Sequence, residues 1–281
     1  MNINAYAKLN LFLNVHGKYF NDYHSIESIM TPLYLHDLLN VNLIKNSSDI
    51  FITTNAPNIP TSEENILFRC ARLFQQHFNI KDGFDIYLEK NIPIKSGLGG
   101  ESADAAALMH YIINSFNLQP SREDILYLGR LLSWDVPFCY FQKSMYINDK
   151  KNIFEEIKIN KQRFILLVKP EYGISTREAF IELDKHDCVL RDSIPFLKAL
   201  MEGAPNIGSY LHNCFIESQS LLKKELINLT EVNKELGFDG VSMTGTGSCF
   251  FLVTSSNRVL LNGYEKLKDK FPFVYATAIN L

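Results

Sequence analysis

The five cysteines (Cys70, Cys139, Cys188, Cys214, Cys249) form neither a CxxC pair nor a Cys/His cluster. That excludes a zinc site of the ordinary spacing and predicts reduced, mostly buried thiols. An excess of charge of either sign is also missing. Twenty-eight Lys+Arg against 31 Asp+Glu leave a formal charge of -3, so no overall basic field exists to hold nucleic acid or an anionic membrane. Any phosphate must be bound locally. No run of about 18 apolar residues occurs, and the first residues lack a basic segment followed by an apolar stretch. The sequence therefore predicts neither membrane span nor signal peptide, and a cytoplasmic protein. Internal repeats and low-complexity segments are absent as well.

What is present is a chain of 281 residues, 46% of them hydrophobic, enough for a substantial core and suited to two modest domains. From Ile3 to Val15 the odd positions are all apolar while Lys8, Asn10 and Asn14 fall on even ones. This period of two predicts a strand with Lys8 and Asn10 on one side, facing a ligand or solvent. The turn after Gly17 (Lys18-Tyr19-Phe20-Asn21-Asp22-Tyr23-His24) is polar and aromatic. Extended runs are expected over 39–44 and 49–53. Thr61-Ser62-Glu63-Glu64 has the form of a capping box opening a helix marked by Leu67, Ala71, Phe74 and Phe78. Phe84, Ile86 and Leu88 alternate as a strand, followed by a glycine-rich loop and an alanine-rich helix to about Phe116. Ser121 and Asp124 open the next helix, which ends near Pro137. Asn148 to Asn152 is a polar stretch, either a boundary or a hairpin turn. Beyond it we expect a strand over 164–168, a helix over 176–183, one or two helices over 214–236, a strand interrupted by a loop over 240–253, a helix over 258–271 and a last strand over 273–279. Alternating strands and helices predict an α+β fold, divided into residues 1–153 and 154–281.

The segment Pro93-Ile94-Lys95-Ser96-Gly97-Leu98-Gly99-Gly100-Glu101-Ser102-Ala103-Asp104 carries the clearest chemistry. Glycines remove side chains that would keep backbone amides from an anion, and the following helix offers unpaired N–H groups and a positive dipole end. The loop is neither a Walker loop nor a dinucleotide fingerprint. Three glycines alone could equally make a tight turn.

Ala7-Lys8-Leu9-Asn10, this loop, and Met243-Thr244-Gly245-Thr246-Gly247-Ser248 stand in the order of the galactokinase, homoserine kinase, mevalonate kinase and phosphomevalonate kinase superfamily, which the chain resembles over nearly its whole length. Ala5 to Leu13, then Asp22-Tyr23-His24, and later Asp135-Val136-Pro137-Phe138 are similar to the 4-diphosphocytidyl-2-C-methyl-D-erythritol kinases within it. The resemblance implies an N-terminal ATP-binding domain, and a C-terminal domain completing the substrate cleft. It also implies an ATP- and Mg²⁺-dependent phosphorylation of a hydroxyl of cytidine diphosphate-linked methylerythritol, on the methylerythritol phosphate route to isoprenoids. Carried over by position, Lys8 and Asp135 become the catalytic pair. Pro93, Gly97, Leu98, Gly99, Gly100, Ser102 and Asp104 become the nucleotide loop, and Asn10, Tyr23, His24, Thr176 and Phe180 the substrate pocket. Gly245, Thr246 and Gly247 become the second-domain loop. No metal ligand and no oligomeric state follow from the sequence.

Three positions depart from the family pattern, which usually has glycine at Lys95 and Glu101 and serine at Ala103. A carboxylate at Glu101 either points away, caps helix amides or recruits Mg²⁺. A kinase for another small alcohol, or a silent binding module on the same fold, are the competing readings.

Overall fold

The protein, described here from a computed structural model over residues 2–18 and 24–279, resolves into two compact units that interleave along the chain. The first comprises Met1–Lys8, Leu35–Pro93 and Gly99–Gln142; the second comprises Leu9–Tyr34, Ile94–Leu98 and Lys143–Leu281. A boundary at 153 divides the chain in sequence, whereas these units divide it in space. Two long strands, β1 (Asn2–Lys18) and β2 (His24–Ile44), contribute residues to both.

The alternation read in β1 has an unexpected outcome. From Ala5 to Val15 its odd positions are buried, as their apolar character demands, but Lys8, Asn10 and Asn14 on the even side are buried too. Neither face of this part of the strand is solvated, so each polar side chain must find a partner within the protein.

In the first unit, β3 (Ile50–Thr54) runs parallel to β4 (Gly83–Glu89), and the second half of β2 runs antiparallel to β4 with Leu38 opposite Glu89. Helix α1 (Ile66–Phe78) separates β3 from β4 in sequence and buries Leu67, Cys70, Ala71 and Phe74. Helix α2 (Gly100–Ser115) packs against α1, against α3 (Arg122–Leu132) and against the short α4 (Val136–Phe141). It is buried on nearly every side, and its alanines 103, 105, 106 and 107 permit that crowding because they project little.

The second unit holds two sheets. In one, the first half of β2 pairs with β5 (Met145–Asn148), β5 with β6 (Ile153–Glu156), and β1 with the short β8 (His212–Asn213). The polar stretch after Asn148 is thus a hairpin turn. The other sheet has the order β11 (Phe273–Ala278), β7 (Phe164–Lys169), β10 (Phe250–Thr254), β9 (Gly240–Met243). Around it lie α5 (Thr176–Leu183), α7 (Phe215–Ser218), α8 (Ser220–Leu236) and α9 (Asn257–Leu267), while α6 (Ile194–Met201) sets Phe196 against Phe12 of β1. Leu166, Val168, Phe215, Leu222, Phe250 and Leu252 belong to its core.

Two expectations need correction. Cys188 and Cys214 are joined in a disulfide, while Cys70, Cys139 and Cys249 are free and buried; a separation of 26 residues carries no local signal for the pairing. The first helix is capped not by Thr61 or Ser62 but by Asn65, whose side chain accepts the N–H of Leu67 at 2.8 Å and donates to the Pro60 carbonyl. Loss of an N-cap costs about 1 kcal/mol. Asn65→Ala is therefore expected to lower unfolding stability by about 1–2 kcal/mol in a urea titration, and Ser62→Ala by less than about 0.5 kcal/mol. Equal losses would return the cap to Ser62.

Candidate active site

In the first unit the ammonium of Lys8 lies 3.4 Å from Asp135 Oδ2. The lysine side chain is 5% exposed and the carboxylate 30%, so the pair has a buried half and an accessible half. Asp135 stands at the N-terminus of α4, with a proline in the first turn where a missing N–H costs nothing. Its carbonyl accepts the N–H of Cys139 at 3.0 Å. Cys139 senses this pair. Its thiol is pushed well up by burial and then by the charge of Asp135, with Lys8 opposing. The stem of Lys8 passes Gly99 so closely that a Cβ there would lie 2.6 Å from Lys8 Cγ, and Gly99 also has a φ of 69°. Glycine is required at this position on both counts.

Gly99 caps α2, and Gly100, Glu101 and Ser102 supply its first turn. Ser102 donates its hydroxyl to Ser133 Oγ at 3.1 Å, which joins the loop to the residues before Asp135. Glu101 is exposed. Asp104 is turned inward instead: it is 2% exposed and accepts from Lys90 Nζ at 2.8 Å. Lys90 also donates to Asp37, whose other oxygen accepts the backbone N–H groups of Asn91 and Ile92. Neither Lys90 nor Asp37 lies in a motif the sequence exposes, although Lys90 precedes the loop by three residues.

In the second unit Asn10 donates through Nδ2 to Ser28 Oγ at 2.9 Å and through its backbone N–H to Thr244 Oγ1 at 3.0 Å. Gly97 meets the same threonine. A Cβ on Gly97 would lie 2.2 Å from the Thr244 carbonyl oxygen, so the residue-97 backbone and the 243–248 loop pack without a side chain between them. Asn213 holds that loop from the other direction by donating to the carbonyls of Met243 and Gly245. Thr246 lies 3.5 Å from Thr176, hydroxyl to hydroxyl. His24 and Phe180 are stacked with ring centroids 4.7 Å apart, and His24 Nε2 is 2.5 Å from Asp184 Oδ1.

Within each unit, then, the residues picked from the sequence fall into groups. Lys8, Asp135, Gly99, Gly100 and Ser102 form one, while Pro93 belongs to the chain leading into the loop. Asn10, Gly97, Leu98 and the Gly245-Thr246-Gly247 loop form a second, and His24, Phe180 and Thr176 a third. Asp104 is committed to Lys90, and Tyr23 lies outside the described residues. Thr244, Asn213 and Asp184 are polar contacts that sequence reasoning missed. Thr244 lies within the quoted Met243–Ser248 motif but was not picked as a site residue; the other two carry no pattern. Among the described residues no group of three or more His, Cys, Asp or Glu side chains could hold a metal ion, and no helix is long and apolar enough to cross a membrane.

Residues 65–143 match the model of the GHMP kinases N terminal domain. A 4-diphosphocytidyl-2-C-methyl-D-erythritol kinase from Clostridium tetani is 33% identical over 98% of each chain. The crystal structure of a 4-(cytidine 5'-diphospho)-2C-methyl-D-erythritol kinase superposes with a TM-score of 0.82 at 25% identity, covering 100% of both chains. A homoserine kinase from Cytophaga hutchinsonii has a TM-score of 0.76 at 17% identity, over 99% of this chain and 95% of its own, and shares the fold. The chain therefore belongs to the 4-diphosphocytidyl-2-C-methyl-D-erythritol kinase family of the GHMP kinases.

Proposed function

We propose that the protein transfers the γ-phosphoryl group of ATP to a hydroxyl of cytidine diphosphate-linked methylerythritol, the reaction after which its relatives are named. The observation that carries this reading is the Lys8–Asp135 pair, with the stem of Lys8 against Gly99 at the start of a helix that has no side-chain cap. An anion belongs at such an end, because the N–H groups point outward and the dipole favours negative charge. The glycines at 99 and 100 let the side chains of Lys8 and Lys90 lie directly against that helix end.

In the transfer the acceptor oxygen bonds to phosphorus, the bond from phosphorus to the β-γ bridging oxygen breaks, and ADP leaves with those electrons. The acceptor hydroxyl must also lose its proton. Asp135 orients that hydroxyl and takes the proton late, since a loose transition state places little demand on an early base. Lys8, held against Asp135 and largely withdrawn from water, offsets the charge that develops on the transferring group. Mg²⁺ neutralises phosphate charge when bound. With no acidic cluster among the described residues to hold the metal alone, it fits as a companion of the nucleotide. Thr176, His24 and Phe180 lie together in the second unit, where a cytosine can stack on an aromatic face and use an imidazole for its polar edge.

Asp135→Asn should reduce kcat by about 10²- to 10⁴-fold with little change in the KM for ATP, read by coupled ADP release; an unchanged kcat would remove Asp135 from the chemistry. Base stacking is worth about 1–3 kcal/mol, so Phe180→Ala should raise the KM of the cytidine-linked substrate roughly 5- to 150-fold. Methylerythritol phosphate without the cytidine should be a very poor acceptor. If it, homoserine or mevalonate were phosphorylated equally well, the protein would be a kinase of another alcohol. If ATP turned over with none of them, it would be a binding module.

A further inference from the structure

Two carboxyl groups share one ammonium behind the glycine loop. Lys90 Nζ contacts both Asp37 and Asp104, and the three side chains are 6%, 0% and 3% exposed. If all three were ionised, the group would carry one net negative charge out of contact with water, an expensive state. The two carboxyls are not equivalent. Asp37 has donors on both oxygens: Lys90 on one, the N–H groups of Asn91 and Ile92 on the other. Asp104 Oδ2 accepts from Lys90, but no donor reaches its buried Oδ1, and the neighbouring Asp37 carboxyl is the acceptor that a proton on Asp104 would meet. An oxygen with no donor is a poor place for negative charge and the natural place for a proton.

We propose that Asp104 is a neutral carboxylic acid at pH 7, so that the Asp37–Lys90–Asp104 triad carries no net charge beneath the helix end that receives phosphate. This rests on the reading of Gly99 to Ser102 as the nucleotide cradle. Burial, joined by the charge of Asp37 and only partly offset by Lys90, agrees in holding Asp104 well above the usual carboxylate range. Burial lowers Lys90, but the charges of Asp104 and Asp37 outweigh it and hold the ammonium above its ordinary value, so the cation persists when Asp104 ionises. On α4 the Cys139 thiol feels the charge of Asp104 as well as those of Asp135 and Lys8.

The triad is close enough to matter. A Cβ on Gly100 would lie 3.0 Å from Lys90 Nζ, which places the ammonium directly against the first residue of α2. With Asp104 protonated, Lys90 and Asp37 cancel and the helix end keeps its attraction for an anion. The sign follows. As pH rises through the raised Asp104 value, the triad passes from neutral to -1 and repels a triphosphate. One unscreened charge at about 10 Å in a partly buried setting changes affinity on the order of tenfold. Asp104 is thus a charge-setting and positioning residue, not a phosphate ligand.

The full chain labelled with ¹³C at aspartate side-chain carboxyls tests the proton directly. One resonance should keep the protonated position at pH 7 and be missing from Asp104→Asn; if every aspartate carbon is ionised at pH 7, the proposal is overturned. Calorimetric titration with ATP tests the consequence. The wild-type Kd should rise on the order of tenfold above the Asp104 transition, and Asp104→Asn, which keeps the shape but cannot ionise, should abolish that rise. An alkaline rise that persists in Asp104→Asn would overturn the charge-setting role. Should the wild type bind no ATP at any pH, the kinase reading fails, and the carboxyl spectrum still decides the proton.

Discussion

A strand buried on both faces cannot leave an ammonium alone, and most of the first unit's site follows from that constraint on Lys8. A lysine withdrawn from water must meet a carboxylate, which is Asp135 at 3.4 Å. Its four-carbon stem must also pass the glycine loop, which Gly99 permits by having no side chain. The loop, the strand and the start of α4 are thereby brought to one place. Each piece has an ordinary structural explanation on its own; only their convergence on one partly accessible carboxylate makes a site.

The second unit applies the same economy to neutral groups. The side chain and backbone of Asn10 bond to Ser28 and Thr244, and Ser28 in turn donates to the Phe12 carbonyl. Thr244, fully buried, receives from β1 and packs against Gly97, while Asn213 spans two carbonyls of the same loop. Buried amides and hydroxyls with several partners each are costly to move, because any displacement strands a donor or acceptor. A loop so fastened presents Thr246 at a fixed position beside Thr176.

What was legible in the sequence was what leaves a local pattern. The period of two in β1 and β4, the helix opened by Ser121 and Asp124, and the helix from Thr176 to Leu183 all rest on neighbours within a few residues, and the structure holds them. β2 was half read, because Thr31 and Pro32 interrupt an apolar pattern that the fold nevertheless extends. The cap at Asn65 was displaced by a stronger-looking string of Thr, Ser and Glu just before it. Non-local pairings left no trace at all: Asp37 reaches Lys90 across 53 residues, and Cys188 reaches Cys214 across 26. The site showed the same division. Lys8 and Asp135 were picked through resemblance to a family and the glycine loop from its own chemistry, whereas Asp184, Asn213 and the triad partners of Asp104 needed coordinates.

The departures from the family's loop can now be weighed physically. Lys95 sits at a φ of 52°, a left-handed conformation in which glycine is at ease and a lysine costs about 1 kcal/mol. The backbone there takes a glycine-favoured conformation with a less suited residue in it. Ala103 is buried on α2 and carries no polar side-chain atom that would need a partner there. Glu101 lies exposed in the first turn of α2, a favourable place for a carboxylate because of the helix dipole. Its charge is screened over about 8–10 Å by salt. A buried charge enjoys no such screening, so whether Asp104 is ionised weighs more on an incoming phosphate than the more conspicuous carboxylate at 101.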